Sequence, residues 1–342
     1  MSLKYTAIRG AFEALWLSRL PALMRAFSSC RGVIFTLHRV LPDAPAAFSP
    51  NAILQVRPDF LDYVIERVRD LDIDIITLDE ALERLAAPGT TRRFAVFTFD
   101  DAYRDNLIHA LPILRKHDCP FTLYVPTAFV DGTGELWWQA LEDIISAHET
   151  VVAEGTEFAS ASVEQKQDVF DRLYWRMRKM PEPERIELMS QMACNHGLDL
   201  HAHCRALIMN WDEMRMMASE QLCTIGAHTV NHYELAKLPA AAAEREIGYS
   251  LDMLAAKFGR RPKHFSYPLG GPLSAGEREF RLAAEAGLTT AVTTRPGGLY
   301  PEHLQTPTAL PRVSLNGLFQ SRRYVDVFAS GAVFTWLGKL AA

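Results

Sequence analysis

One stretch constrains this chain more than any other: Phe94-Ala-Val-Phe-Thr-Phe-Asp100-Asp101, six β-prone residues running straight into two adjacent carboxylates. An unbroken apolar run of this length reads as a strand buried on both faces, as in a parallel sheet covered by helices. Folds of that class place their chemistry at the carboxyl ends of strands. Successive strand residues point to opposite sides, so Asp100 and Asp101 need not share a role. Taken alone, the pair has a structural reading as well: Asp101 caps a helix from Ala102 onward, and Asp100 starts the turn.

The flanking chain repeats the pattern. Arg31 to His38 reads as the first buried strand and ends in a histidine, after which Pro42, Pro45 and Pro50 force a loop. A helix is predicted over Pro58–Leu71, with Phe60, Leu61, Val64, Ile65 and Val68 on one face. A short strand follows over Ile73–Leu78, then a helix capped by Asp79 and running through Leu85. Beyond the Asp100-Asp101 strand come a helix from Asn106 to His117 and a strand from Pro120 to Val125. Strand–helix alternation at this spacing implies right-handed parallel crossovers. The rhythm breaks after Gly132: residues 135 to about 220 show no strand pattern and are rich in helix formers. It resumes with Cys223–His228, a helix over 240–258, strand His264–Tyr267, a helix over 275–286, and strands Thr289–Thr293 and Leu310–Val313. Seven to eight short parallel strands predict an α/β fold, a distorted (β/α) barrel with a helical insertion. The expected division is an amphipathic helical segment over 1–30, barrel over 31–132 and 211–318, the insertion over 133–210 and a tail over 319–342.

Composition excludes several classes. The chain has 342 residues and a net charge of −5, so no basic footprint points to nucleic acid. Cys30, Cys119, Cys194, Cys204 and Cys223 lie scattered without CxxC spacing, which suggests reduced thiols in a cytoplasmic setting. Lys4, Arg9, Glu13, Arg19 and Arg25 break any leader-like apolar run, and no uncharged apolar stretch is long enough to span a bilayer. Both ends are amphipathic. Ile8, Phe12, Leu15, Trp16, Leu20, Leu23 and Phe27 recur at helical spacing; Val325, Val327, Phe328, Val333, Phe334, Trp336 and Leu337 make the tail apolar. Docking on the body is the expectation, with peripheral membrane contact through the termini as the alternative.

The second informative feature is His228-Thr-Val-Asn-His232, just after a strand. On a helical turn, residues four apart share a face, so both imidazoles can reach one cation. Two neutral imidazoles and one carboxylate suit a divalent metal with open positions for water and substrate. Asp101 can supply the carboxylate, which leaves Asp100 beside the ion as a candidate base.

Phe97-Thr-Phe-Asp-Asp101 followed by Ile225-Gly-Ala-His-Thr-Val-Asn-His232 resembles the polysaccharide deacetylase family, the NodB-homology domain of carbohydrate esterase family four. Asn210-Trp-Asp-Glu, ahead of the histidine strand, is similar to a common lead-in of that family. The resemblance covers about 33–130 and 211–315. It implies a distorted (β/α) barrel that removes N-acetyl groups from an amino-sugar polysaccharide, oligosaccharide or glycolipid with a divalent metal, zinc first and cobalt, nickel or manganese as alternatives. Carried over by position, Asp100 is the general base, and Asp101, His228 and His232 hold the metal. The third family motif, Arg-x-Pro-Tyr-Gly, stands here as Ser266-Tyr267-Pro268-Leu269-Gly270. It makes Tyr267, Pro268 and Leu269 substrate or oxyanion candidates, with the Leu269 N–H as the donor. The base-orienting arginine of that motif is replaced by Ser266. Arg312, after Leu310-Pro311, is the candidate substitute, and a surface salt bridge is its other reading. The family's late Leu-x-x-His motif has no counterpart after Arg312. His38 then becomes the candidate general acid, as in the variant group that includes biofilm poly-N-acetylglucosamine deacetylases; the alternative is a buried, satisfied histidine.

Weaker features remain. Trp137-Trp138 opens the insertion, either buried as an anchor or exposed for stacking on sugars. His196, His201, His203 and Cys204 lack the spacing of a zinc site. His109 and His117 fall on one helix beside Arg115 and Lys116 and are expected in solvent. A rival in a different class is a glycan-binding scaffold that kept the fold but lost turnover; a nearer one is an amidase for a non-carbohydrate amide.

Overall fold

A computed structural model describes residues 3–89 and 92–335 of the chain. Two helices, α1 (Leu3–Leu17) and α2 (Leu20–Phe27), precede strand β1 (Gly32–Leu37). Short strands β2 (Arg39–Val40) and β3 (Gln55–Val56) pair beside it, followed by α3 (Pro58–Asp70), β4 (Asp74–Ile75), α4 (Leu78–Ala86) and β5 (Phe94–Phe99). Next come α5 (Leu111–Lys116), β6 (Phe121–Val125) and α6 (Thr127–Val130). The segment that follows holds α7 (Trp137–Ala147), the hairpin β7 (Thr150–Ala153) and β8 (Thr156–Ala159), α8 (Val163–Lys179), α9 (Glu182–Asn195), α10 (Leu200–Leu207) and α11 (Trp211–Ala218). The chain then returns through β9 (Cys223–Ala227), α12 (Ala240–Phe258), β10 (His264–Ser266), α13 (Glu277–Glu285), β11 (Thr290–Val292), β12 (Val313–Ser314) and α14 (Tyr324–Phe328).

Local chemistry explains most boundaries. Pro58 opens α3 with its ring already at helical φ, and Phe60, Leu61, Val64, Ile65 and Val68 form its buried face. Thr77, not Asp79, caps α4: its side chain accepts from the Glu80 N–H. Ser162 and Gln165 form a reciprocal capping box at α8. Gly259 ends α12 with φ 73°. The hairpin β7–β8 was invisible to the strand pattern because its two-residue turn is Glu154-Gly155, with φ 50° and 72°. Such a turn usually advertises itself as Asn-Gly or Asp-Gly.

The strands β11-β10-β9-β6-β5-β1-β12 form one parallel sheet. β4 shares an edge of β5 with β6, lying at Phe94–Ala95 while β6 takes Phe97–Phe99. Leu310 bridges to Val292 on one edge, and Val313-Ser314 pair with β1 on the other. Residues 310–314 thus join both edges, and the sheet curls into the distorted barrel that the strand count predicts.

Alternation sorts the side chains. Val33, Phe35, Leu37, Ala95, Phe97 and Phe99 face the main core under the helices. Ile34, Phe94 and Val96, with Tyr124, Val292 and Leu310, make a smaller cluster inside the barrel. Tyr124 fits only because its neighbour across the sheet is Gly226: a Cβ there would sit 2.4 Å from the tyrosine ring. Above this plug the inward positions turn polar, from Thr98 to Asp100 on β5, and that change sets the level of the site. At the termini, Phe12 of α1 packs on Phe319, Tyr324 and Phe328, with ring centroids 5.1, 5.3 and 5.4 Å away, so the tail around α14 docks on the body. Trp336 and Leu337 lie outside the described residues. Among those residues no helix is long and apolar enough to cross a membrane.

Gly226→Ala is expected to destabilise by about 1–3 kcal/mol in denaturant melts, the usual cost of overpacking. Adding Tyr124→Leu should recover part of the loss; a double variant no more stable than the single one would refute the steric account.

Candidate active site

Asp100 is the last inward-facing residue of the β5 line and is buried. Arg312 meets it with two parallel bonds, Nη1 to Oδ1 at 2.8 Å and Nη2 to Oδ2 at 2.7 Å. Arg312 is itself fully buried, not on the surface. Its Nε donates to the Thr293 carbonyl (2.9 Å), Nη1 also reaches Thr98 Oγ1 (3.2 Å), and Nη2 reaches Ser266 Oγ (3.0 Å). Burial pushes the Asp100 carboxyl up, but the charge and hydrogen bonds of Arg312 outweigh it and hold the pKa below its ordinary value. Arg312 reaches Ser266 and Asp100 from the segment just before β12.

Asp101 should point outward by strand alternation. It does not, because the chain turns sharply: Asp101 has φ 72° and Ala102 φ 57°. Asp101 therefore caps no helix from Ala102. Its buried Oδ1 lies 3.4 Å from His228 Nε2 and 3.2 Å from His232 Nε2, without the alignment of a hydrogen bond. Burial raises this carboxyl, and the two imidazoles more than reverse it, leaving it well below the usual range.

The pair His228-x-x-x-His232 reaches one point by a different route from the helical turn its spacing suggests. Both histidines lie in a loop after β9, with Thr229 at φ 65° and His232 at φ 59°. Thr229 Oγ1 accepts from the His232 N–H (2.9 Å). Glu246 of α12 accepts from the Val230 and Asn231 N–H groups (3.0 and 2.9 Å). The ring centroids end 4.7 Å apart. His228 Nδ1 is bound to the Ser266 carbonyl at 2.6 Å, which turns Nε2 toward Asp101. Burial lowers the His232 imidazole below its ordinary value, favouring the neutral form a ligand needs.

These three residues fit a divalent cation. Their donor atoms lie within 4.8 Å of one another, all three are buried, and Asp101 Oδ1 has no hydrogen-bond partner among the described residues. A buried, unpaired carboxylate oxygen facing two imidazole nitrogens is costly unless a cation completes it. A second group, Asp62, Glu66 and His117, has no such vacancy, because the Lys116 ammonium lies 2.7 Å from Asp62. His117 is buried against Asp62 at 2.7 Å and is not in solvent as its helix suggested; α3 packs over it.

The other candidates divide. His38 shares the cavity over Asp100, Asp101, His228 and His232. Its carbonyl accepts from Asn106 Nδ2 (2.7 Å), while Asp105 holds the neighbouring Arg39 and Val40. Leu269, at φ 59°, lines the same cavity, and its N–H has no acceptor among the described residues. Pro268 is buried beside it. Tyr267 is not among the residues lining this cavity. Strand alternation sends Ser266 inward and Tyr267 outward, where its hydroxyl donates to the Thr308 carbonyl (2.8 Å) among Phe265 and Phe280. Trp137 and Trp138 are both buried and both line the cavity, and Trp138 sits 4.8 Å from the His232 ring. His203 pairs with Asp143 and His196 with the Met192 carbonyl, so the histidines of the insertion form no cluster with Cys204. Sequence reasoning missed Glu246, Asp105 and Asn106: an acid within α12 carries no local mark, and nothing in the spacing announces the π-helical turn Asn106–Ala110 that Asp105 precedes.

Comparison with known proteins bears on the family and the fold. The family model described as polysaccharide deacetylase matches residues 87–291, well over half of the chain. The chain belongs to the polysaccharide deacetylase family, whose members are hydrolases of carbon–nitrogen bonds acting on N-acetylated sugars. Its fold is similar to that of IcaB from Ammonifex degensii, with a TM-score of 0.57 at 18% identity over 88% of this chain and 97% of that one. The Streptococcus pyogenes deacetylase PplD in complex with acetate gives a TM-score of 0.54 at 18% identity over 87% and 97%. The BpsB deacetylase domain from Bordetella bronchiseptica gives 0.53 at 16% identity over 84% and 96%. No curated protein matches the chain.

Arg312→Met leaves a buried carboxylate unpaired and is expected to cost about 3–5 kcal/mol of stability. The double variant Arg312→Met/Asp100→Asn should recover much of it in the same chemical denaturation experiment. Equal losses in the two variants would show that the pair does not act as a unit.

Proposed function

We propose that this protein is a metal-dependent N-deacetylase of amino-sugar glycans, chito-oligosaccharides being the first substrates to test. One observation carries the reading: Asp100 is aimed into the cavity and locked by Arg312, yet it is not needed to complete the cation site. A binding scaffold has no use for a second buried carboxylate held ionised there. Acetate is what such a hydrolysis releases, and acetate is bound in the complex of the similarly folded Streptococcus protein.

Asp101, His228 and His232 would hold the ion, zinc by the preference of a two-imidazole, one-carboxylate set. Bound there, it would polarise the acetamide carbonyl as a Lewis acid. The rest falls to the chain's own groups. Asp100 takes a proton from the water that attacks the carbonyl carbon. The Leu269 N–H, free and directed by its left-handed backbone, holds the developing oxyanion. His38 in its protonated form gives a proton to the leaving nitrogen as the C–N bond breaks. The products are a free amino sugar and acetate. Arg312 keeps Asp100 oriented throughout and touches no substrate.

Asp101→Ala, His228→Ala and His232→Ala are each expected to strip the metal, read by elemental analysis; a fully loaded His228→Ala protein would refute the ligand set. Asp100→Asn should keep the metal and lower acetate release from chito-oligosaccharides by roughly 10²–10⁴-fold. Metal binding by the wild-type protein with no acetate from any N-acetylated sugar would favour the scaffold instead. His38→Ala should lower kcat at unchanged metal content, and an unchanged kcat removes His38 from the proton path.

A further inference from the structure

The cavity over the four site residues has a volume of about 190 Å³, below the roughly 300–1,000 Å³ of pockets that enclose drug-sized ligands. Its wall is tied together across the chain. Ile53 and Leu54 come from the turn at Pro50–Leu54, and Trp137, Trp138 and Tyr174 come from the insertion. Asn51 joins the two: its side chain donates to the Trp138 carbonyl (2.8 Å) and its N–H to Glu142 Oε2 (2.8 Å). Tyr174 is stacked between Trp137 (centroids 5.3 Å apart, planes at 28°) and Phe170 (5.5 Å, 17°). Its hydroxyl accepts from Arg178 Nη1 at 3.3 Å. Arg178 in turn grips the buried Glu234, with Nε at 3.2 Å and Nη2 at 3.1 Å, two residues from His232. The wall cannot swing aside without parting an aromatic stack and a largely buried ion pair.

We propose that the insertion converts the site into a pocket for a single ring, so that the enzyme deacetylates an N-acetylated hexosamine at a chain end and not one inside a polymer. An interior ring carries neighbours on both sides and needs an open groove running past the metal. An end ring has a neighbour on one side only and can lay its apolar face on the aromatic wall on the other. The inference rests on the deacetylase reading above and specifies its substrate.

The test uses the wild-type, zinc-supplemented protein and the N-acetylglucosamine pentamer labelled at its reducing end, with products sequenced by tandem mass spectrometry. The methyl glycoside of N-acetylglucosamine is run in parallel. The expected result is loss of one acetyl group per pentamer, from an end ring, with acetate also released from the methyl glycoside. Acetyl loss from any interior ring would overturn the single-ring pocket while leaving the deacetylase reading intact. No acetate from either substrate would overturn both. Tyr174→Ala, which removes the outer ring of the wall, is expected to admit interior rings and raise the number of acetyl groups lost per chain. A folded Tyr174→Ala protein that still attacks only the end would overturn the wall's part in selection.

Discussion

The buried pair between Arg312 and Asp100 is the constraint on which the remaining architecture depends. Two charges removed from water are tolerated only with good geometry and with every remaining donor satisfied. Here the guanidinium spends its donors on Asp100, Thr98, Ser266 and the Thr293 carbonyl. Those partners sit on or just past β5, β10 and β11, while Arg312 comes from the closing segment, so the pair can form only when the sheet has curled far enough for residues 310–314 to touch both edges. Barrel closure and the orientation of the Asp100 carboxylate are thus one event. The apolar plug of Ile34, Phe94, Val96 and Tyr124 below excludes water from the pair, which strengthens it as it raises the cost of losing either member.

Around that fixed point the chain accepts local strain. Asp101, Ala102, Thr229, His232 and Leu269 all have positive φ without being glycine. Each costs of order 1–3 kcal/mol and persists only where the surroundings over-determine it. All five lie at the carboxyl ends of β5, β9 and β10. The strain has a consequence for each: Asp101 is turned back over the mouth, the two imidazoles are brought together from a loop, and the Leu269 N–H is turned out of the sheet ladder. Glu246, bound to two successive amides of the histidine loop, supplies part of the compensation.

How much of this could be read from residues alone follows from how far each signal reaches. The β5 run and the parallel rhythm are local and periodic; β5 appears residue for residue, while the expected strands Ile73–Leu78 and Leu310–Val313 shrink to Asp74–Ile75 and Val313–Ser314. Arg312 was a positional guess that the fold resolves, because pairing across 212 residues leaves no trace in spacing. The helical reading of His228 to His232 failed for a related reason: four-residue spacing is shared by a helical turn and by a loop folded back with two left-handed residues. Tyr267 was assigned through motif position, which places a residue along the chain but is silent on which side of a strand it faces. The Glu154-Gly155 hairpin and the buried His117 were missed because tertiary packing overrode weak or contrary local preference.

The insertion is added to the barrel without disturbing its sheet. It leaves after β6 and returns before β9, two strands that pair directly along five residues, so the sheet does not register the extra chain. Three of its connections fall at the mouth: Trp138 on His232, Arg178 on Glu234, Asn51 on Trp138. None of these touches the Arg312–Asp100 pair or the Asp101 carboxylate. The wall therefore meets the turn that follows Asp101 as well as the histidine loop, with Trp138 Nε1 donating to the Tyr103 hydroxyl (3.2 Å) and the Met209 N–H to the Ala102 carbonyl (3.1 Å). Changes in the insertion can reshape the cavity while the closed barrel keeps Asp100, Asp101 and the two imidazoles in place.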